Sequence, residues 1–361
     1  MKQVTIAIPA YKAKDHICDA LASIQIQTFK DIKVIIATDL PGEDYEFIKD
    51  RLPDLDISIL PCNKNTGPGL ARQRALDACN SEWITFMDAD DVFISPMAIE
   101  DLLTGATAAE NIIECQGAFY EELMEPVENQ KLLLRDEATQ PWVFARLYNV
   151  KFLRDNHIEF SNLRAMEDAE FNWKIRMAIG GKDLFINKID KPIYFWRKGS
   201  EHSITRVLLE GTNIPQYTYD LAVYGTAKAA GRAIEYANKY NPENKEIRLF
   251  ALDIMLSLYF TAIECAAKAS IFWEQTIFIS AAFYQDVFSN YEYTQEEMET
   301  AYSVKNASRA KNLIGVMPKI TFYEFLNGVS GQNTGLNAWE QVRESLPQSV
   351  IENDKRTGVL E

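Results

Sequence analysis

The sequence predicts an α/β fold, with a sheet of strands flanked by helices in its first part and a mainly helical C-terminal region after it. Three observations carry this expectation. Strand-like and helix-like segments alternate from residue 3 to about 90, the pattern that builds a parallel sheet. One of those strands, residues 83–87, stops abruptly on Asp88-Ala89-Asp90-Asp91, and carboxylates at the carboxyl end of a strand sit where open α/β sheets bind ligands. Beyond residue 212 the chain changes to long stretches rich in Ala, Leu, Tyr and Glu, which favours helices.

Taken in order, residues 4–9 read as a first strand. Residues 15–27 form a helix with Ile17, Leu21 and Ile24 on one face, and residues 32–37 are a second strand. A helix-like segment at 45–51, a strand at 57–60, a glycine turn at 67–69, a helix at 70–79 and the strand at 83–87 complete a nucleotide-binding α/β half. Past residue 91 the periodicity weakens. Residues 112–120 and 185–189 still look like strands and 165–178 like a helix, so the sheet is expected to acquire mixed strands there. Residues 219–240 and 245–269 read as helices, which places the domains at 1–210 and 211–361.

Composition narrows the function classes. The chain has 361 residues, 47% hydrophobic and 25% charged, and a net charge of -15. That balance suits a globular protein and argues against affinity from a general basic surface, so nucleic acid is a disfavoured partner. The five cysteines, Cys18, Cys62, Cys79, Cys115 and Cys265, are odd in number and contain no CxxC pair, as in a reduced, cytoplasmic setting. A strand-like segment begins at once after Met1, which leaves no room for a signal peptide. The most apolar later stretch, 254–263, lies between Asp253 and Glu264 and is too brief to span a bilayer, so no membrane span is expected.

The chemistry-bearing residues begin with the aspartates after residue 87. Carboxylates two apart suit a hard divalent cation, Mg²⁺ or Mn²⁺, bridging to phosphate. The competing reading is a helix cap and turn, for which Asp is also favoured. Gly67-Pro68-Gly69-Leu70-Ala71-Arg72 lacks the third glycine of a dinucleotide fingerprint and follows the third strand rather than the first, so that fingerprint is set aside. It does offer a helix amino terminus beside Arg72, suited to phosphate or to an orienting carboxylate. The aromatic positions between Tyr217 and Tyr302 read first as helix core, and the stretch Lys305, Arg309, Lys311 and Lys319 as a solvated face.

Four segments in this order, Ile8-Pro9-Ala10-Tyr11, Ser23 through Phe29, Asn65-x-Gly67-x-x-x-Ala71-Arg72 and Asp88-Ala89-Asp90-Asp91, resemble family 2 glycosyltransferases of the GT-A fold over about the first 205 residues. The resemblance implies a nucleotide-sugar donor, usually a UDP-sugar, a divalent metal (Mn²⁺ or Mg²⁺), and transfer with inversion. It places Pro9, Ala10 and Tyr11 in the donor site, with the tyrosine ring available for stacking on the base, and it adds Asn65, Gly67 and Arg72. Asp39 takes the base-reading position, although Thr38 and Leu40 depart from the family's pattern. Asp88 would contact ribose or a metal-bound water, Ala89 would lie beside the donor, and Asp90 would ligate the metal. Asp168, within Met166-Glu167-Asp168-Ala169-Glu170, matches the general base, with Glu167 as the neighbour easily confused with it. Arg197 or Lys198 would meet the donor phosphates, and His202 would be a metal ligand if it does more than hydrogen-bond within its loop.

The expected acceptor is a glycan, a protein or a small molecule, with a hydroxymethylated base in DNA as the alternative. A nucleotidyltransferase would need a glycine-rich phosphate loop near the first strand, and Ile8-Pro9-Ala10-Tyr11-Lys12 has none. A non-catalytic nucleotide-sugar-binding module would keep the fold while losing Asp90 or Asp168, and both are present. Residues 211–361 would complete the acceptor site or form a contact between subunits of a homo-oligomer.

Overall fold

The structure, a computed structural model, describes residues 3–127, 130–135, 141–163, 165–198, 220–268, 270, 272–309 and 320–331. The chain divides into two compact units, with the break after Val207.

The first unit is built on one nine-stranded sheet. In chain order its strands are β1 (Val4–Ala10), β2 (Ile32–Thr38), β3 (Asp56–Leu60), β4 (Trp83–Phe86), β5 (Val92–Phe93), β6 (Glu114–Val127), β7 (Gln130–Arg135), β8 (Arg146–Asn149) and β9 (Ile186–Trp196). They lie in the order β3-β2-β1-β4-β8-β6-β9-β5, with β7 added on β6. Pairings β3-β2, β2-β1 and β1-β4 are parallel, β4-β8, β8-β6, β9-β5 and β6-β7 are antiparallel, and β6-β9 is parallel. The sheet is therefore mixed beyond residue 91, as the fading periodicity suggests.

Val4, Ile6, Ala7, Ile8 and Ala10 are all fully buried, because β1 lies inside the sheet with both faces covered, where a strand reads as a continuous apolar run. The helices of this unit are α1 (Ile17–Gln25), α2 (Phe47–Arg51), α3 (Gly67–Ala78), α4 (Ala98–Ala106), α5 (Val150–Asp155) and α6 (Glu167–Ala178). The first buries Ile17, Ala20, Leu21 and Ile24, and α4 buries Ile99, Leu102, Leu103 and Ala106, each a stripe at helical spacing. From β1 the chain steps outward to β2 and β3, then returns so that β4 lies on the other side of β1. The carboxyl ends of β1 and β4 thus flank a topological switch point, where such sheets open a ligand crevice. The backbone N–H of Met87 donates to the Ala7 carbonyl at 3.0 Å and that of Asp39 to the Ala10 carbonyl at 2.7 Å, which fixes the loops after β4, β1 and β2 at this one edge.

Two expectations about this unit are corrected. The glycine segment is not a turn before the helix but its first turn, since α3 begins at Gly67 with Pro68 next to it. Gly67 has φ +82°, which a side chain would strain. A Cβ on Gly69 would stand 2.5 Å from the Ser161 carbonyl oxygen, so glycine there lets the helix abut the 161–167 segment. Strands β5, β7 and β8 and helices α4 and α5 also go beyond the expected elements, being short or weakly patterned.

The second unit is helical among its described residues. A π-helical turn (Asp220–Gly225) leads into α7 (Thr226–Tyr240), followed by α8 (Ile247–Ala267), α9 (Trp273–Asp286), α10 (Gln295–Arg309) and α11 (Phe322–Ser330). Helix α8 packs against each of the other four helices. Its 21 residues, which include an 18-residue window with a mean hydropathy of 1.7, are long and apolar enough to cross a membrane, which corrects the expectation of a stretch too brief to span. Yet 67% of that apolar window is buried inside the protein, the placement of a core helix. Asp253 and Glu264 do not end it: Asp253 lies on the exposed side and pairs with Lys305 of α10 at 2.7 Å.

Candidate active site

At the carboxyl edge of β4, the three aspartates take different places. Asp88 and Asp90 are half-buried, while Asp91 is fully buried. The Tyr194 hydroxyl of β9 donates to Asp91 Oδ2 at 2.7 Å and accepts the backbone N–H of Asp88 at 3.0 Å, and the Arg197 backbone N–H donates to Asp91 Oδ1 at 2.8 Å. Asp91 therefore neither caps a following helix nor faces the ligand side; it ties the aspartate loop to the last strand. Burial first, then the charges of Asp88 and Asp90, hold its carboxyl well above the usual carboxylate range.

Arg72 is the hub of the site. It projects from the buried side of α3, is 4% exposed, and is enclosed by three carboxylates. Its Nη1 donates to Glu167 Oε1 and to Asp168 Oδ1, both at 2.8 Å, and its Nη2 donates to Asp88 Oδ1 at 2.7 Å. One guanidinium thus links the carboxylate after β4 to the acidic pair that opens α6. Fork-shaped donors suit such multidentate holding. Asp168 Oδ2 accepts the Val143 backbone N–H at 3.4 Å. Burial raises the Asp168 carboxyl, Arg72 opposes this, and the Asp88 charge adds to it. Burial also pushes Glu167 up to about 8, with the Asp168 charge adding to the push and Arg72 opposing it. One cation facing three carboxylates leaves an excess of negative charge in the cluster.

Asp39 is 4% exposed, and its partners lie on the turn into α3: Thr66 N–H at 2.9 Å and Thr66 hydroxyl at 2.8 Å donate to Oδ1, and Gly67 N–H at 2.8 Å donates to Oδ2. These bonds satisfy donors at the start of the helix, a capping task performed from the neighbouring strand end. Asn65 supports the same turn by accepting the Gly67 N–H at 3.3 Å. Pro9 is half-buried and Ala10 and Ala89 are buried. Tyr11, just after β1, is 46% exposed, with the Lys12 ammonium 5.4 Å from the centre of its ring. The Arg197 side chain pairs with Asp19 at 3.0 Å. Lys198 pairs with Glu121 and lies 4.3 Å over the Trp196 ring. His202 falls outside the described residues.

An aromatic cluster adjoins Val143, whose N–H reaches Asp168, and Trp142 and Phe144 within it escaped notice in the sequence. Trp142 and Trp196 are half-exposed, with ring centroids 4.9 Å apart, and Phe144 stacks on Tyr194 at 4.8 Å, directly beside Val143. The run Tyr194-Phe195-Trp196 at the end of a strand is the local signal for the other half of this cluster. Nothing local marked Trp142.

The donor set suits a hard divalent cation. Asp88 and Asp90 offer carboxylate oxygens beside a third, buried carboxylate, and this crowding of negative charge is what a divalent cation offsets. Among the described residues no three His, Cys, Asp or Glu side chains already converge as a cage. The protein would therefore contribute one or two carboxylates, with phosphates and water completing the shell, as is usual for Mg²⁺.

The chain is 34% identical over 95 residues to UDP-Glc:alpha-D-GlcNAc-diphosphoundecaprenol beta-1,3-glucosyltransferase WfaP of Escherichia coli, across 26% of this chain and 38% of that one. It is 27% identical over 106 residues to succinoglycan biosynthesis protein ExoO of Rhizobium meliloti, across 29% of this chain and 30% of that one. The matched stretch thus spans about a third of the length of these curated relatives. Among solved structures, TarS residues 1–349 of S. aureus superpose with a TM-score of 0.62 at 15% identity, covering 86% of this chain and 92% of TarS, which shows a shared GT-A fold. The family model described as glycosyl transferase family 2 matches residues 5–190, just over half of the chain and the site residues from Pro9 to Asp168, with Tyr194, Trp196, Arg197 and Lys198 beyond it. The chain belongs to glycosyl transferase family 2.

Proposed function

We propose that the protein transfers a sugar from a nucleotide-sugar, in the first instance a UDP-sugar, to an acceptor hydroxyl by direct displacement with inversion. The observation that carries this reading is the Arg72 bridge, which holds Asp88 and Asp168 on one guanidinium; in this reading Asp88 serves the donor and Asp168 the acceptor. Asp168 takes the acceptor's hydroxyl proton on Oδ2, the oxygen not engaged by Arg72. The acceptor oxygen bonds to the anomeric carbon as the bond from that carbon to phosphate breaks, and the electron pair leaves with the nucleoside diphosphate. A carboxyl raised by burial is better matched to proton transfer near neutral pH than an ordinary aspartate. A divalent cation bound at Asp90, with Asp88 beside it, would supply charge stabilisation for the departing diphosphate.

Tyr11 provides the stacking face for the base. Asp39 acts on it indirectly by holding the Thr66–Gly67 turn. Trp142, which adjoins Val143 in the chain, and Trp196, packed on Trp142, offer the apolar face against which an acceptor sugar ring packs. A uridine donor is favoured by two likenesses: TarS is described in complex with UDP-GlcNAc, and the name of WfaP specifies UDP-Glc. The free state of all five cysteines goes with a reducing, cytoplasmic setting. The test is a panel of nucleotide-sugars assayed for Mn²⁺-dependent hydrolysis and transfer with wild type, Asp90→Asn and Asp168→Asn. Binding of no nucleotide-sugar in Mn²⁺ would refute the transferase reading, and full transfer by Asp168→Asn would refute the base.

A further inference from the structure

The second unit contains a cleft of about 630 Å³ between α7 and the end of α9, a size typical of small-ligand sites. Two departures from good helix design occur where α7 lines it. Lys228 and Arg232 stand four residues apart on the same helix face, a like-charge pair that weakens a helix. Between them, in an otherwise alanine-rich helix, is Gly231, a residue that costs a helix interior stability. Close packing does not explain this glycine, because a Cβ built there meets no atom within 4 Å. Its effect is to leave the floor of the cleft open. Local rules broken without a packing reason mark functional positions.

The cleft's chemistry is mixed rather than charged in one sense. Lys228 and Arg232 are matched by Glu235 and Asp286, so the lining carries no net charge to attract a polyanion or a metal ion. Asn238, Asn290 and Tyr291 add groups that both donate and accept hydrogen bonds. Phe283 and Ile234 supply apolar surface. Balanced charges, amides and a phenol around an aromatic and aliphatic patch complement a ring with hydroxyls at its edge and C–H groups on its faces. We propose that this cleft in the helical unit is a saccharide-binding site that takes the neutral, hydroxylated rings of a glycan. The site stands independently of the transferase reading, since it uses no residue of the first unit.

The test uses the full chain and four neutral probes, cellotetraose, laminaritetraose, maltotetraose and tetraacetylchitotetraose, followed by saturation-transfer NMR and calorimetry. At least one probe is expected to bind, with an affinity that changes less than about twofold over a tenfold range of salt, as for an uncharged ligand. Gly231→Leu should fill the floor and weaken binding by about tenfold or more, while the melting temperature stays level or rises, because Leu is the better helix former. Should that variant fold poorly, Asn238→Ala on the exposed rim decides the matter, with an expected loss of about threefold or more, the scale of one hydrogen bond. Asp168→Asn should leave binding unchanged. The proposal is overturned if none of the four probes binds, if binding survives both cleft variants, if it is lost with salt, or if it is lost in Asp168→Asn, which would place it in the first unit.

Discussion

Replacing Glu167 by Gln removes one of the three carboxylates around Arg72 while keeping an oxygen to accept the Nη1 hydrogen bond. The consequence is a change in how stability depends on pH. The folded chain holds the Glu167 proton up to about pH 8, whereas an unfolded chain releases it near 4.5. Binding the proton more tightly when folded means that this contribution is complete below about pH 4.5 and is lost as pH rises through about 8. Between pH 6 and 9 the loss is nearly two pH units' worth, about 2–3 kcal/mol at about 1.4 kcal/mol per unit. For a unit of this size, about 2–4 °C accompanies each kcal/mol. The wild-type melting transition of the first unit should therefore fall by about 4–12 °C more than that of Glu167→Gln over this range. Thermal melts followed by circular dichroism at four pH values, in EDTA so that no metal contributes, measure both slopes. Equal slopes would show that Glu167 is already ionised at neutral pH and that Arg72 alone balances the cluster.

Asp168→Asn should lower the transfer rate by about 10²- to 10⁴-fold, the range for loss of a general base, with UDP affinity in Mn²⁺ changed little, as read by single-turnover assay and calorimetry. Gly69→Ala brings a Cβ to within 2.5 Å of the Ser161 carbonyl, and backbone cannot yield as a flexible side chain would. A destabilisation of about 1–3 kcal/mol is expected by urea titration, and an unchanged midpoint would contradict the close approach. Tyr194→Phe removes the hydroxyl shared by Asp91 and the Asp88 N–H. It should cost about 1–3 kcal/mol in stability and weaken Mn²⁺-dependent UDP binding, because the loop carrying Asp88 and Asp90 loses its anchor.

How far the sequence could be read depended on the range over which each feature is determined. Strands β1 to β4 declared themselves because each is an apolar run bounded by polar or breaking residues, and their ends differ from expectation by only a residue or so. The start of α3 was misplaced because glycine and proline usually interrupt helices, whereas here Pro68 stands at the helix start and Gly69 is required by the approach of Ser161. Helix α8 was legible at 245–269, but its apolar length was underestimated by reading Asp253 and Glu264 as boundaries, when a charge on the outward face of a helix is no interruption. Within the site, Asp88, Asp90 and Asp168 were visible as acidic clusters at the ends of predicted elements. For Arg72 a carboxylate partner was one of two readings, but its identity was not legible, because Glu167 and Asp168 lie 95 and 96 residues away and only the folded sheet brings them together. The same holds for Asp39: its type and position suggest a ligand contact, while its hydrogen bonds show a helix cap.

The position of β9 bears on how the protein is made. This strand, the last of the sheet, lies between β6 and β5, and the tyrosine that steadies the aspartate loop comes from it. Until residue 196 has left the ribosome, β5 lacks its partner, β6 has an open edge, and the loop after β4 lacks its clasp. Long-range parallel pairing of this kind is slow, and exposed edges invite association with other chains. A nascent chain halted before β9 would therefore present a half-built sheet, and chaperone occupancy during synthesis should fall only after that strand emerges.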